Sequence, residues 1–239
     1  MNVDILAIGA HPDDVELACS GTLLRHIAHG YSVGLLDLTL GELGTRGDAT
    51  TRSAEASNAA TKLGAAFRQQ LNLGDGFFQP TEGSLKQVIQ QIRNCQPKII
   101  LANAPSDRHP DHGRASSLVR QAAFLSGLRR IETVDAQGEP QLPWRPESTY
   151  FYIQDNWVNP DFVIDITTYF PSKIELILCF RTQFYDPMSD APETPISGKD
   201  FLAFIEARAR DLGRPAGYTF AEGFVTDRFP GIRNFFDLD

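Results

Sequence analysis

The chain is poor in cysteine and has no long apolar run, and these two absences narrow its class. Its three cysteines are odd in number and far apart, at Cys19, Cys95 and Cys179. They form no Cys-x-x-Cys pair, which argues against a disulfide framework and a thiolate zinc site. No stretch approaches the roughly 20 apolar residues that cross a bilayer, and no basic leader precedes the first apolar segment. The sequence therefore predicts a cytoplasmic protein with buried, unpaired cysteines and no membrane partner.

Positive charge is also scarce. The 239 residues contain 22 Lys and Arg against 30 Asp and Glu, for a net charge of -8. A nucleic-acid partner requires a basic face that neutralises phosphates, so we expect no nucleic-acid binding. An anionic substrate would have to depend on individual arginines. The length is that of one larger α/β domain, and residues 1–239 are predicted to form a single domain.

A dinucleotide-binding loop is the third absence. The first predicted strand is followed by Gly9-Ala10-His11-Pro12-Asp13 and not by a Gly-x-Gly-x-x-Gly turn. The adjacent acids Asp13 and Asp14 would also repel a pyrophosphate at that position. The sequence therefore argues against a dinucleotide-binding enzyme.

Short apolar runs alternate with stretches of helical period through most of the chain. Strands are predicted at residues 5–9, 33–38, 67–73, 98–102, 149–153 and 162–166. Helices are predicted at residues 15–28, 52–63, 81–95, 113–130 and 169–182, and from a capping box at residue 197 to residue 212. This alternation is typical of an α/β fold with a Rossmann-like, mostly parallel sheet covered by helices on both faces.

Two clusters of histidine and aspartate follow two of the predicted strands. His11-Pro12-Asp13-Asp14 comes after the first strand, and residues 107–112, Asp-Arg-His-Pro-Asp-His, come after the fourth. Charged side chains at the end of an apolar strand must be paired or bound to a metal. Ligands of open parallel sheets bind at the carboxyl edge, where both clusters would lie. The pattern predicts one metal site assembled from two loops at that edge.

His11, Asp14 and His112 are the predicted metal ligands. His11 and Asp14 are three residues apart, so both side chains can converge on one point beyond the strand. Adding His112 gives two imidazoles and one carboxylate, a set that leaves positions open for water and substrate, as in catalytic zinc sites. The same set describes non-heme iron oxygenases. We therefore expect Zn2+, with Fe2+ as the alternative ion in the same site.

The other charged residues of the two clusters are the candidate catalytic groups. Asp13 lies beside a ligand and can act as a general base towards water. His109 precedes His112 by one turn and can stabilise an oxyanion and protonate a leaving nitrogen. Asp111 lies between these two histidines and can orient an imidazole. This set of residues predicts a hydrolase.

Two arginines are candidate substrate contacts. A loop with three glycines, residues 41–47, precedes the helix on which Arg52 lies and is expected at the same edge as the metal site. Arg52 can hold a substrate carboxylate in a bidentate pair, or it can be a solvated residue at a helix start. Arg108 leaves the same two alternatives open. A second loop, residues 184–195, has three prolines and is long enough for a lid or an oligomer contact.

The two clusters resemble the two signature motifs of the PIG-L/LmbE-like deacetylases. The matching segments are residues 10–16, Ala-His-Pro-Asp-Asp-Val-Glu, and 109–113, His-Pro-Asp-His-Gly. Members of this family are zinc-dependent enzymes that remove acetyl groups from N-acetylglucosaminyl substrates. Further segments are similar to the bacillithiol-biosynthesis branch: residues 37–39, 107–109, 160–166, 183–184 and 221–224. The resemblance implies hydrolysis of N-acetylglucosaminyl malate to glucosaminyl malate and acetate.

The resemblance also implies roles by matching position. It makes His11, Asp14 and His112 the zinc ligands, Asp13 the base, His109 with Asp111 a partner pair, and Arg52 a contact for a malate carboxylate. Family members use a tyrosine from the later loop as an oxyanion donor. Tyr185 is the one tyrosine between residues 184 and 201, and its alignment leaves that role unassigned. Members commonly form hexamers, so a homo-oligomer is implied.

Rival functions remain open at this point. A non-heme iron oxygenase would use the same ligand set, but Asp13 beside Asp14 supplies a base that hydrolysis needs. A metal-dependent sugar-binding protein would have an intact site and no turnover. Another N-acetylglucosaminyl compound can also replace the malate conjugate, because one fold and metal site serve several such deacetylases.

Overall fold

One seven-stranded sheet organises the residues that the computed structural model describes, 2–237. Its strands are β1 (Ile5–Gly9), β2 (Val33–Asp37), β3 (Phe67–Gln70), β4 (Ile99–Asn103), β5 (Ser148–Tyr152), β6 (Phe162–Asp165) and β7 (Ala221–Thr226). Their spatial order is β3-β2-β1-β4-β5-β7-β6. The strands from β3 to β5 in this order are parallel, and β7 is antiparallel to both of its neighbours. The sheet is mostly parallel, as predicted.

Helices cover both faces of this sheet. Within the described residues they are α1 (Asp14–Ala28), α2 (Ala49–Leu63), α3 (Glu82–Cys95), α4 (Pro110–Leu125), α5 (Phe170–Ile177) and α6 (Phe201–Gly213). Successive side chains of β1 point to opposite faces. Leu6 and Ile8 pack in the core cluster that includes α3 and α4, whereas Ile5 and Ala7 pack in the cluster that includes α1. The predicted α/β class is confirmed.

β7 is the one strand in residues 2–237 that the sequence did not predict. Its six residues contain the charged Glu222 and a glycine, which interrupt the apolar alternation that marks a strand. Glu222 is buried, and its carboxylate accepts the backbone N–H groups of Gly21 and Thr22 at 3.0 and 2.7 Å. The Nζ of buried Lys173 lies 2.6 Å from the same carboxylate. The charge is therefore satisfied by α1 and α5, which sequence periodicity cannot show.

α4 begins three residues earlier than predicted, at Pro110 and not at residue 113. Proline suits a first helical position because its φ is already helical and the missing N–H needs no partner there. His109 is the N-cap residue, and its Nδ1 accepts the backbone N–H of Asp111 at 3.2 Å. Part of the second cluster, including His112, therefore lies on the first helical turn.

Two helices end before their predicted ends. α4 stops at residue 125 and not 130, and the carbonyl of Ser126 accepts Arg93 Nε at 3.0 Å. α5 stops at residue 177 and not 182. Glu55 accepts the backbone N–H and the hydroxyl of Thr182, each at 2.8 Å, so these groups are bonded to α2 and not to a longer α5. In both cases contacts from another helix override the local propensity.

The predicted capping box at residue 197 does not form. The Ser197 hydroxyl accepts the backbone N–H of Thr194 at 2.8 Å, and α6 begins only at Phe201. Residues 184–195 contain neither helix nor strand, as predicted. Cys19 and Cys95 are buried, whereas Cys179 is partly exposed. Across residues 2–237 no helix has the length and apolar character needed to span a bilayer.

Candidate active site

The two clusters meet at the carboxyl edge of the sheet. The first cluster occupies the turn from β1 to the start of α1, and the second lies between β4 and the first turn of α4. Because β1 and β4 are parallel neighbours, both turns emerge on the same side. The imidazoles of His11, His109 and His112 converge there, with ligand atoms within 4.8 Å of one another. The structure thus brings the two loops together.

Asp14 lies between two of these imidazoles. Its Oδ1 is 3.1 Å from His112 Nε2, and its Oδ2 is 3.6 Å from His11 Nδ1. The side-chain amides of Asn103 and Gln154 donate to the same carboxylate at 3.0 and 2.7 Å. Burial alone would raise the pKa of Asp14, but the neighbouring imidazoles hold it well below its usual range. The side chain is therefore an ionised and oriented carboxylate.

The residues around Asp14 fit a divalent ion. Desolvation opposes the charged form of His112, but the carboxylates of Asp14 and Asp107 raise its pKa to about 9. The buried carboxylates thus favour positive charge between them, and a bound metal ion supplies that charge. Two imidazoles and one carboxylate suit zinc or iron. Two sets of ligand atoms in the described residues lie within 4.8 Å of one another, those of His11, His109 and His112 and those of His11, Asp75 and Asp111, and Asp14 contacts the imidazoles of His11 and His112.

Asp13 has a backbone conformation that is rare outside glycine. Its φ is 116°, a conformation that costs roughly 1–3 kcal/mol and persists only where the surroundings impose it. Its Oδ2 lies 3.2 Å from Arg52 Nη2, which also donates to the Pro12 carbonyl at 2.7 Å. Burial raises the pKa of Asp13 to about 7, against the opposing effect of Arg52. The backbone and Arg52 together fix this carboxylate beside the ligands.

Asp75, which the sequence did not single out, contacts His11 from behind. Its Oδ1 is 3.0 Å from His11 Nε2, the ring nitrogen opposite the one that faces Asp14. Its Oδ2 accepts the Leu43 N–H at 2.9 Å, which connects the glycine-rich loop 41–47 to His11. Asp75 follows the third predicted strand, so its place at the same sheet edge was the available signal. Because glycines flank Asp75 on both sides, the segment is typical of a simple turn, and the sequence offered no reason to assign Asp75 to the site.

Two more carboxylates orient the imidazoles. Asp107 Oδ2 accepts a hydrogen bond from His112 Nδ1 at 2.6 Å, the usual arrangement behind a metal-binding histidine. Asp111 Oδ2 lies 3.3 Å from His11 Nε2 and accepts the Gly76 N–H at 2.7 Å. The resemblance pairs Asp111 with His109. In the structure these two residues meet through the Asp111 backbone N–H and the His109 ring.

Both candidate substrate arginines lie at the site, and both are already paired. Arg52 is only 4% exposed, and besides Asp13 it donates to the Gly41 carbonyl at 3.1 Å. Arg108 lies at the more open side, where its Nε contacts the carboxylate of Asp155. Neither guanidinium is an unpaired surface group. Each is held by a carboxylate of the protein itself.

These residues line an open cleft of about 260 Å³. Its floor includes His11, Asp13, Asp14 and His112, and its walls include residues of loop 41–47. Tyr185 is 47% exposed and is not among the lining residues of the described chain. The cleft has the size of a small-molecule site with the predicted ligands at its base.

Comparison with known proteins identifies relatives with more than one activity. A family model described as GlcNAc-PI de-N-acetylase, PIG-L, matches residues 6–123. Diacetylchitobiose deacetylase of Thermococcus kodakarensis is 27% identical over 95% of this chain and 84% of that protein. Probable N-acetyl-alpha-D-glucosaminyl L-malate deacetylase 2 of Bacillus anthracis is 24% identical over 75% of this chain and 81% of its own length. 4-oxalmesaconate hydratase of Pseudomonas putida is 27% identical over 74% and 73%. The bacillithiol branch is therefore not singled out.

A solved structure extends the match to nearly the whole chain. The conserved protein TT1542 from Thermus thermophilus is 32% identical, covers 98% of both chains and superposes with a TM-score of 0.85. This likeness includes the strands beyond residue 123, where the family model stops. The chain therefore belongs to the PIG-L/LmbE-like deacetylase family, and with it to the amide hydrolases.

Proposed function

We propose that this protein is a zinc-dependent deacetylase that hydrolyses the acetamide of an N-acetylglucosaminyl conjugate. The observation that carries the proposal is the placement of Asp13 beside the buried set His11, Asp14 and His112 at the floor of one cleft. Hydrolysis of an amide needs a metal site and a base within reach of the same water. The family match and the two deacetylase relatives support this chemistry.

His11, Asp14 and His112 would hold the metal ion. When bound, zinc supplies Lewis-acid polarisation of the acetamide carbonyl and activation of water at neutral pH. Asp75 and Asp107 accept hydrogen bonds from the ring nitrogens that face away from Asp14. These contacts fix the tautomer and the orientation of both imidazoles. Iron remains the alternative ion for the same ligands.

Asp13 is the proposed general base. Its carboxylate takes a proton from the attacking water as the new C–O bond forms. Burial raises the pKa of Asp13 to about 7, which makes it a stronger base than an exposed aspartate. When the C–N bond breaks, the same proton passes to the leaving amine, and acetate is released. One water is consumed for each amide cleaved.

His109 is the proposed donor to the oxyanion. Its Nδ1 accepts the Asp111 N–H, so its Nε2 carries the ring proton. Burial and the neighbouring imidazoles lower the pKa of His109, which favours the neutral ring. A neutral imidazole can donate a hydrogen bond to the developing oxyanion. The sequence suggested two roles for His109, stabilising the oxyanion and protonating the leaving nitrogen. The hydrogen bond from the Asp111 N–H to His109 Nδ1 supports the first role.

A substrate comparison tests the proposal. Zinc-loaded protein is incubated with N-acetylglucosaminyl malate, diacetylchitobiose and free N-acetylglucosamine, and primary amine and acetate are measured. We expect equal amounts of amine and acetate from at least one conjugate. The malate conjugate is the candidate that the resemblance to the bacillithiol branch implies. Absence of amine from all three compounds would show that the protein is not this deacetylase.

The rival functions have their own measurements. A non-catalytic sugar-binding protein would retain metal and bind a conjugate without releasing acetate. An iron oxygenase would consume oxygen when loaded with Fe2+.

The single domain over residues 1–239, of which 1, 238 and 239 lie outside the described residues, stays a prediction. The cytoplasmic location and the homo-oligomer, with a hexamer as its expected form, also stay predictions.

A further inference from the structure

A short segment that follows β5 contacts both loops of the site. This bridging segment consists of Gln154, Asp155 and Asn156. The backbone N–H groups of its second and third residues donate to Asp107 Oδ1 at 3.2 and 2.7 Å. The side-chain amide of its first residue donates to Asp14 Oδ1 at 2.7 Å. One segment therefore contacts a candidate metal ligand of the first loop and the carboxylate of the second loop that orients an imidazole.

Arg208, on α6, contacts the opposite side of the bridging segment. Its Nη1 contacts the carbonyl of Gln154 and lies 3.4 Å from that of Asn156, and its Nη2 contacts the carbonyl of Asp155. The ring of Phe204 packs on the guanidinium, with 4.8 Å between Arg208 Cζ and the ring centroid. A planar guanidinium can donate to several acceptors at once. Three consecutive carbonyls thus converge on one cation.

Two peptide units of the bridging segment lie between opposite charges. The carbonyl of Gln154 and the N–H of Asp155 belong to one unit, and the carbonyl of Asp155 and the N–H of Asn156 belong to the next. In each unit the carbonyl faces Arg208 and the N–H faces Asp107. The dipole of a peptide unit, about 3.5 D, is therefore aligned with both charges. Hydrogen bonds in such a chain strengthen one another.

The carboxylate of Asp107 depends on these N–H groups because water cannot easily replace them. Its side chain is only 1% exposed. Besides the two N–H groups of the bridging segment, Oδ1 accepts the backbone N–H of Arg108 at 2.8 Å, while Oδ2 accepts His112 Nδ1 at 2.6 Å. A shift of the segment would leave a buried carboxylate short of donors, which is costly. The carboxylate would then turn, and the imidazole that it holds would turn with it.

We propose that Arg208 is a positioning residue of the metal site, whose guanidinium holds the bridging segment so that Asp107 keeps the His112 imidazole in its orientation. The proposal rests on the proposed function, in which His112 is a metal ligand. Arg208 is not among the residues that line the cleft in the described chain, so it acts through its neighbours. The same carbonyl contacts hold Gln154, whose amide reaches Asp14.

Metal affinity tests the proposal without any substrate. Zinc binding is measured by competition with a chelator. We expect Arg208→Gln to weaken it about tenfold, the lower end of the loss that follows removal of a contact behind a metal ligand. Arg208→Lys keeps the charge without the planar fork and should lose about threefold. Arg210→Gln is the matched control on the same helix, since Arg210 pairs with the exposed Glu206 at 2.7 Å, and it should keep wild-type affinity.

A double variant tests the route through Asp107. Asp107→Asn combined with Arg208→Gln should bind zinc at most about threefold more weakly than Asp107→Asn alone, because both substitutions remove the same support. If the two losses multiply, Arg208 acts independently of Asp107 and the inference is overturned. Equal losses in Arg208→Gln and Arg210→Gln would also overturn it.

Two further measurements separate positioning from a general effect on stability. The absorption bands of the cobalt-loaded protein should shift in Arg208→Gln and stay unchanged in Arg210→Gln. Urea unfolding of the metal-free variants gives the free energy of unfolding. A less stable Arg208→Gln with wild-type zinc affinity and an unchanged cobalt spectrum overturns the inference. If Arg208→Gln does not fold, Arg208→Lys carries the same comparisons. Absence of acetate release from a protein that binds zinc overturns the deacetylase function and leaves the inference standing.

Discussion

Two loops supply the candidate metal ligands, and they differ in what holds them. The loop after β1 is short, and it places Asp13 at a φ of 116°. Its contacts come from distant parts of the chain: Arg52 on α2 holds Asp13, and Asp75 after β3 holds His11. The geometry of this loop is therefore imposed by tertiary contacts.

The loop after β4 has more contacts among its own residues, although Asp107 also accepts the backbone N–H groups of Asp155 and Asn156. Asp107 orients His112, which lies five residues later. His109 caps α4, the helix that carries both Asp111, whose N–H the His109 ring accepts, and His112. No residue of this loop has a positive φ among the described residues. The contrast shows that one site can combine a loop with several local contacts and a loop that depends almost wholly on the rest of the fold. Variants in the two loops should therefore behave differently.

The largest expected difference is between Asp13 and His109. Asp13→Asn keeps the shape of the side chain but cannot accept a proton, so we expect kcat to fall about 10³-fold. His109→Gln keeps a hydrogen-bond donor and should cost less, about 10²-fold. Steady-state kinetics with metal analysis of each variant measures this. Loss of metal in Asp13→Asn would mean that Asp13 and Asp14 have exchanged roles.

Arg52 and Arg108 give the next comparison. Arg52→Gln removes the contact that positions Asp13, and a displaced base should lower kcat by about 10²-fold with bound metal unchanged. Arg108→Gln should stay within about threefold, because an exposed ion pair contributes little. Kinetics of both variants with N-acetylglucosaminyl malate separate the effects on kcat and KM. A rise in KM at constant kcat for Arg52→Gln would instead support the substrate contact that the sequence suggested.

Metal affinity gives a third comparison, between the carboxylates that contact His112 and His11. Asp107 is the carboxylate that accepts from His112 Nδ1, so Asp107→Asn should weaken metal binding about 10- to 100-fold. Two carboxylates, Asp75 and Asp111, face His11 Nε2, so Asp75→Asn should have a smaller effect. Competition with a chelator measures both affinities. A larger loss in Asp75→Asn would show that Asp111 does not substitute for it.

The smallest expected effect concerns backbone strain. Glycine adopts the φ of Asp13 freely, so Asp13→Gly should be more stable than Asp13→Ala by about 1 kcal/mol in the free energy of unfolding. Asp107 has no positive φ, so Asp107→Gly should be less stable than Asp107→Ala. Urea unfolding of the metal-free variants tests both orders. If the Gly and Ala variants have the same order of stability at residues 13 and 107, backbone strain at Asp13 does not explain the difference.

The sequence predicted that the two clusters lie at one edge of the sheet, but it could not predict which distant residues contact them. His11, Asp14 and His112 could be found because each follows a clear apolar strand. Asp75 could not be ranked as part of the site, since a Gly-Asp-Gly turn carries no sign of the imidazole that it contacts. The paired state of Arg52 was equally hidden, because its partners are 39 and 40 residues away.

The fold shows the same division. β1, β2 and β4 were predicted because apolar residues dominate them, and the parallel arrangement follows from the alternation with helices. β7 was missed because Glu222, a charged residue, is the second residue of the strand and is neutralised by Lys173 from α5. A buried charge is compatible with a strand only when its partner is in place, and the partner is known only from the tertiary structure.

Glu222 joins a late segment of the chain to an early helix, which has a consequence for the order of folding during synthesis. Its carboxylate accepts the backbone N–H groups of Gly21 and Thr22 in α1, about two turns after Asp14. During synthesis, α1 emerges about 200 residues before Glu222 does. Nearly the whole chain must therefore be synthesised before α1, which begins with the candidate ligand Asp14, has its contact with Glu222. We expect a growing chain to hold metal poorly until β7 has entered the sheet, which delays hydrolytic activity until folding is complete.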